Sequence, residues 1–163
     1  MRVFPTKGQL LGHVILPNKL AIAKDATRRI KNAKFPEDLK QLRLFLGACN
    51  VYRRFIKSYA HIATPLNRML TKDAKNNFAN PTEDQVKSFE DLKAALCSPP
   101  ILALPMRKGP YMLDTDSSAY QAGVVLLQQQ DDKNPKSCAT IGYWSRSLNP
   151  AERKYTASER ECL

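Results

Sequence analysis

Histidine is scarce in this 163-residue chain, with two copies, and cysteine is little commoner, with four. Cys49, Cys97, Cys138 and Cys162 stand far apart without a CxxC spacing, and only His13 and His61 could assist them. No zinc site can be argued from that pattern. Reduced thiols in an intracellular protein, cytoplasmic or nuclear, are expected. The sequence has no run of about 18 apolar residues, so it contains no segment that reads as a membrane-spanning helix. The opening "MRVFPTKGQLLGHVILPNK" lacks a long apolar stretch and a small-residue cleavage site, and no secretory signal is expected there.

Negative charge is the other shortage, and it is uneven. Residues 1–80 hold 16 Lys and Arg against 4 Asp and Glu, whereas residues 81–163 hold 10 against 11. A basic first half joined to a near-neutral second half reads as two modules, the first of which meets a polyanion. A solvated, lysine-rich surface is the plainer alternative. Hydrophobic residues make up 43% of the chain, too many for a disordered segment. The length fits one domain, or a small helical domain plus part of another.

Along the first half, "LLGHVILPNKL" reads as a short hairpin, with Pro17-Asn18 as a turn signal. "AIAKDATRRIKNAK" reads as a basic helix. Pro36 is placed to open the next helix, with Glu37 and Asp38 in its first turn. In "EDLKQLRLFLGACNVYRRFIK", Leu39, Leu42, Leu46, Cys49, Tyr52 and Ile56 fall on one face of a continuous helix, with Phe45 beside them. Lys40, Arg43, Gly47, Asn50, Arg54 and Lys57 form a second stripe. A mid-helix glycine costs about 1 kcal/mol relative to Ala. Two compensations are open: close approach by a sugar-phosphate backbone, or close packing by a neighbouring helix. "HIATPLNRML" reads as a further short helix. "TEDQVKSFEDLKAAL" reads as an amphipathic one, with Thr82 as N-cap and Val86, Phe89, Leu92 and Leu96 on one side. "SPPILALP" is an extended connector.

The second half changes period. "YMLDTD", "AGVVLLQQ" and "CATIGYWSRS" read as three strands of an antiparallel meander. "TASERECL" then opens a helix, with a capping box from Thr156 and Glu159 or from Ser158 and Glu161. Within "YMLDTDSSAY", Asp114 and Asp116 share a strand face with Met112. Asp is depleted in strands, and the residues alone favour a turn-starting role for Asp116.

"LLGHVI", "LRLFLGACNVYRRFIKSYAHIATPLNRML", "FEDLKAALCSPPILALP", "LDTDSSAYQAGVVLLQ" and "YWSRSLNPAERKYTASERECL" occur in that order. The set resembles the polyprotein of gypsy-class long-terminal-repeat retrotransposons, from the end of the reverse transcriptase palm through the thumb into RNase H. The resemblance implies an α+β chain. Residues 1–20 would end a palm with a primer-grip-like hairpin that uses Leu11, Gly12 and His13, and residues 21–78 would form a basic, thumb-like helical region. Residues 79–163 would be the N-terminal part of an RNase H-like domain. It implies an RNA–DNA hybrid or DNA duplex as partner, contacted by Lys40, Arg43, Gly47, Asn50, Arg54 and Lys57. It also implies a two-magnesium site in the intact enzyme, for which Asp116 matches the first carboxylate and Glu161 the second, while Asp114 matches none. The family's other two aspartates would lie beyond Leu163, and its polymerase carboxylates before Met1. The 163 residues are therefore expected to hold half of an RNase H site, to bind nucleic acid and not to cleave it, and to leave the sheet bare unless a second copy or a complementing chain covers it. Without palm support, the hairpin at Gly12 is expected to fray. A host-adopted, non-catalytic binding or interaction module is the alternative. The chain departs from the family's usual motif at Ala119, where Asp is usual, at Gln121, where Gly is usual, and at Phe78-Ala79-Asn80, where a Trp is usual.

Overall fold

Two short sheets and a helical layer make up the computed structural model, which describes residues 8–71, 78–131, 134 and 137–161, Glu161 in its backbone only. The chain opens with β1 (Gly8–Leu10), β2 (His13–Leu16) and β3 (Lys19–Ile22), each antiparallel to the one before. Leu11 and Gly12 both take positive φ in the first turn, as a tight two-residue hairpin requires. Asn18 takes φ 56° after Pro17, so the expected turn signal is real. The hairpin is not an isolated ribbon. β3 also pairs with β4 (Leu102–Ala103), through Leu20 opposite Leu102, and the result is a four-stranded sheet.

The helices follow: α1 (Lys24–Lys31), α2 (Leu39–Val51), a 3-10 turn over Arg53–Phe55, α3 (Tyr59–Arg68) and α4 (Glu83–Cys97). Two expectations are corrected here. Pro36 does not open α2; Asp38 caps it, accepting the Gln41 backbone N–H at 2.7 Å. The long helix stops at Val51, because Tyr52, Phe55 and Ile56 turn inward and bury themselves in a tighter turn. Thr82 caps α4 as expected, and with Gln85 it completes a capping box in which the two exchange hydrogen bonds. Phe89, Leu92 and Leu96 are buried, whereas Val86 is exposed.

One core joins these pieces. Leu42, Leu46, Cys49, Phe55, Ala63, Leu66, Met69, Phe89, Leu92, Leu96 and Leu102 are buried together. Phe35 and Phe45 pack on Phe89 with ring centroids 5.4 and 4.5 Å apart, in tilted and edge geometries that aromatic pairs prefer. Ser88, almost fully buried, donates its hydroxyl to the Ile62 carbonyl and ties α4 to α3. Cys49 is a packing thiol whose pKa burial pushes up to about 12, so it is inert as a nucleophile.

The second sheet is the expected meander of β5 (Tyr111–Ser117), β6 (Gln121–Gln129) and β7 (Cys138–Ser147). α5 (Ala157–Glu161) follows and packs on β5. Its start is the Thr156–Glu159 capping box: the Thr156 N–H donates to Glu159 Oε2 at 2.8 Å and the Glu159 N–H to Thr156 Oγ1 at 3.3 Å. β7 lies against the 3-10 turn, α3 and β4, so the meander rests on the helical core. β5 is the far strand and is exposed along nearly its whole length. Among the described residues no helix is long and apolar enough to cross a membrane.

Candidate nucleic-acid face and RNase H-like carboxylates

The solvent side of α2 is built around Gly47. Lys40, Arg43, Gly47 and Asn50 are all exposed on it. Among the described residues nothing lies within 4 Å of where a Cβ on Gly47 would stand, and no helix among them packs against it. Leu44 and Val51 are 67% and 55% exposed beside it, giving the face apolar patches between its cations. Toward α1 the face descends into a cleft of about 740 Å³, lined by Leu11, Ile30, Leu44, Ala48 and Tyr52, with Arg29 and Lys34 at its edge.

Arg54 and Lys57 do not continue that face, because the helix has ended before them. Arg54 turns inward: its Nη2 donates to the Ile141 carbonyl on β7 at 3.1 Å, and its Nε is buried without a hydrogen-bond partner. Lys57 stays exposed and lines a small cleft with Ser58, Asp114, Asp116 and Tyr143.

The primer-grip-like residues are held more firmly than expected. The His13 ring lies 5.2 Å from that of Tyr52 and 5.9 Å from that of Phe55, so it is a packing residue. The Gly12 carbonyl accepts the Ala23 N–H at 2.8 Å, and a Cβ on Gly12 would fall on the Tyr52 hydroxyl. Leu11, at φ 48°, is 84% exposed at the turn's tip.

Asp116 is exposed near the end of β5. The register sets it opposite Gly123, and Gly123 opposite Ser145. Residues directly opposite in antiparallel strands share a face, and Ser145 Oγ accepts the Ala60 N–H of α3 at 2.9 Å. Asp116 therefore looks to the side where α3 begins, and it lines a cavity there of about 190 Å³ with Ser58, His61, Ser118, Gln121 and Ser145. Asp114 shares that face. The Glu161 carboxylate, expected as the second metal ligand, and Cys162 lie outside the described residues. Among the described residues, no group of three or more His, Cys, Asp or Glu could hold a metal ion.

Sequence reasoning missed the residues that join the second sheet to the helical layer. Ser145 is one, and Gln121 another: its Nε2 donates to Thr64 Oγ1 of α3 at 3.1 Å. The departure at Gln121 was the available signal. Missed too was Gln128, whose buried amide holds the loop before β5. Its Nε2 donates to the carbonyls of Met106 (2.9 Å), Lys108 (3.1 Å) and Gly109 (3.3 Å), and its Oε1 accepts the Met106 N–H at 2.8 Å.

A meander with an aspartate near the end of its first strand and a helix after its third, set on a basic helical layer, is the architecture of a reverse transcriptase's RNase H-like region. The family described as the RNase H-like domain found in reverse transcriptase matches residues 82–163, and the chain belongs to it. Over 97% of its length it is 34% identical to the retrovirus-related Pol polyprotein from transposon opus of Drosophila melanogaster, covering 16% of that protein. Over 95% it is 30% identical to the Tf2-3 transposon polyprotein of Schizosaccharomyces pombe, covering 11% of it. The chain thus spans less than a fifth of these relatives, which fit the resemblance read from the motifs and are consistent with the gypsy class. Two solved structures share the fold at 21% identity. The foamy viral protease-reverse transcriptase in complex with RNA/DNA hybrid superposes with a TM-score of 0.80 over 96% of this chain and 20% of its own. The complex of that protein with dsDNA superposes with a TM-score of 0.78 over 95% and 31%.

Proposed function

We propose that these 163 residues are the thumb-to-RNase H portion of a gypsy-class retrotransposon reverse transcriptase, and that α2 grips the backbone of an RNA–DNA hybrid or DNA duplex. The observation that carries this reading is Gly47, a mid-helix glycine with open space before it and exposed Lys40, Arg43 and Asn50 around it. Its cost in helix propensity serves no contact among the described residues. It leaves the helix surface low where a sugar-phosphate ridge can lie, while the cations reach the phosphates on either side. The foamy viral protein of the same fold carries such duplexes in its solved complexes, which supports the reading.

Asp116 is assigned as the first RNase H carboxylate. Magnesium takes hard oxygen ligands, and an exposed carboxylate at a strand end is the right donor type. Among the described residues no third His, Cys, Asp or Glu completes a metal-holding group with Asp116 and Asp114, although His61 lines the same cavity as Asp116. Two carboxylates with water could hold one magnesium weakly, but not the clamped pair that two-metal cleavage needs. Cleavage of a hybrid would therefore draw on Glu161 and on carboxylates from further chain.

The test is a salt titration of binding to a labelled RNA–DNA hybrid and to a DNA duplex, followed by anisotropy. The logarithm of affinity should fall linearly with the logarithm of salt, and Lys40→Ala with Arg43→Ala should reduce that slope by about two, roughly one per lost phosphate contact. Arg54→Ala should leave the slope unchanged, because its guanidinium is engaged inside the protein. Binding indifferent to salt would refute the grip.

A further inference from the structure

Three hydrogen bonds cross from the helical layer to the second sheet, at positions 57 to 87 residues apart in sequence. Arg54 Nη2 reaches the Ile141 carbonyl, the Ala60 N–H reaches Ser145 Oγ, and Gln121 Nε2 reaches Thr64 Oγ1. They are spread along the contact. Ile141 and Ser145 are four residues apart on β7, and Gln121 begins β6, opposite Ser147. Three separated ties fix a direction as well as a distance. Arg54 carries a cost: its Nε is buried with no partner, and an unpaired buried donor is destabilising. An apolar side chain of similar length would cover Ile141 without that penalty. What Arg54 adds is direction, since its planar fork reaches a single backbone carbonyl.

We propose that Arg54, Ser145 and Gln121 lock the meander to the helical layer as one rigid body, and that Arg54 is a positioning residue that sets where Asp116 stands relative to α2. The Gln121 departure follows from this lock, because a glycine there has no amide to offer Thr64. The purpose assigned to the lock rests on the nucleic-acid reading above. A duplex seated on Lys40, Arg43 and Gly47 would be presented to the carboxylate face at a fixed separation. The lock itself does not depend on that reading.

The experiment is a pair of spin labels on the full 163-residue chain, at Leu44→Cys on α2 and Leu113→Cys on β5, both 67% exposed. Cys97, Cys138 and Cys162 are replaced by Ser, and Cys49 is left in the core. Pulsed dipolar spectroscopy should give one narrow distance distribution. Arg54→Met keeps the aliphatic stem and removes both the Ile141 bond and the unpaired Nε. It should broaden or split the distribution while the melting temperature holds, a pattern that simple loss of stability would not produce. Arg54→Lys, which keeps one donor, should narrow it again in part. Should Arg54→Met fail to fold, Gln121→Gly and Ser145→Ala carry the same readout. An unchanged distribution in Arg54→Met, or in both of those variants where it fails to fold, overturns the lock. The salt slope for a duplex, read on the unsubstituted chain, reports on the grip alone. A flat salt response there, with a distribution that broadens in Arg54→Met, condemns the nucleic-acid reading and spares the lock, and a normal slope with an unchanged distribution in Arg54→Met condemns the lock.

Discussion

Gly12→Ala tests whether the first hairpin is a seated part of the fold. Gly12 sits at φ 78°, and an added methyl would meet the Tyr52 hydroxyl. The left-handed conformation costs a non-glycine residue about 1–2 kcal/mol. Forcing a methyl against a packed ring costs about 1–3 kcal/mol, and the lower end applies because Tyr52 also borders the cleft beside α1 and has room to shift. The stiffer unfolded chain returns about 0.4–1 kcal/mol. The net loss is then about 1–2.5 kcal/mol, which for a chain of this size lowers Tm by roughly 2–10 °C. Thermal melts followed by circular dichroism measure it. Tyr52→Phe in the same chain removes the hydroxyl, so the double variant should recover the steric share, about 1 kcal/mol, and retain the backbone share. A loss below about 1 kcal/mol in Gly12→Ala would show that the turn frays and that its contacts contribute nothing.

Three more predictions concern other parts of the chain. Gln128→Leu should cost about 2–4 kcal/mol in denaturant melts, because it strands the buried Met106 N–H and removes the donor shared by three carbonyls; an unchanged midpoint would mean that loop holds itself. Glu159 has its pKa lowered, first by the Thr156 backbone N–H and then by the Thr156 hydroxyl. A folded-state pKa below the unfolded one stabilises above the unfolded value, and the contribution is lost as pH falls through the folded one. The Thr156 amide resonance should therefore move as acid titrates Glu159, and a flat titration would contradict the cap. A polypeptide of these 163 residues, given magnesium and a labelled RNA–DNA hybrid, should show no cleavage that Asp116→Asn abolishes; if such cleavage is found, the carboxylates present suffice.

Much of the fold could be read from short-range chemistry. The Thr82 N-cap, the Thr156 capping box, the Pro17-Asn18 turn and the three meander strands are local devices, and all stand where the residues put them. The errors came from interactions across long stretches of chain. Arg54 was counted with the α2 stripe because periodicity alone does not reveal that Tyr52 and Phe55 end the helix by burying themselves. The hairpin reads as an isolated ribbon because its third and fourth strands are joined by pairing of Leu20 with Leu102, half the chain apart. At the site, Gly47 and Asp116 were identifiable as residues, but the face Asp116 turns to was not. That face follows from the register with Gly123 and Ser145 and from the bond between Ser145 and Ala60.

β5 has a consequence for how copies of this chain behave toward each other. Among the described residues it pairs on one side only, with β6, and its other edge carries free backbone donors and acceptors beside exposed Met112 and Leu113. Such an edge invites self-association. Asp114 is the middle residue of Tyr111–Ser117. In a symmetric antiparallel pairing of two copies it would face its own duplicate, and like charges directly opposite are repelled. In such a pairing Asp114, on the strand that carries Asp116, would disfavour association of two copies while leaving the edge open to a strand of different charge.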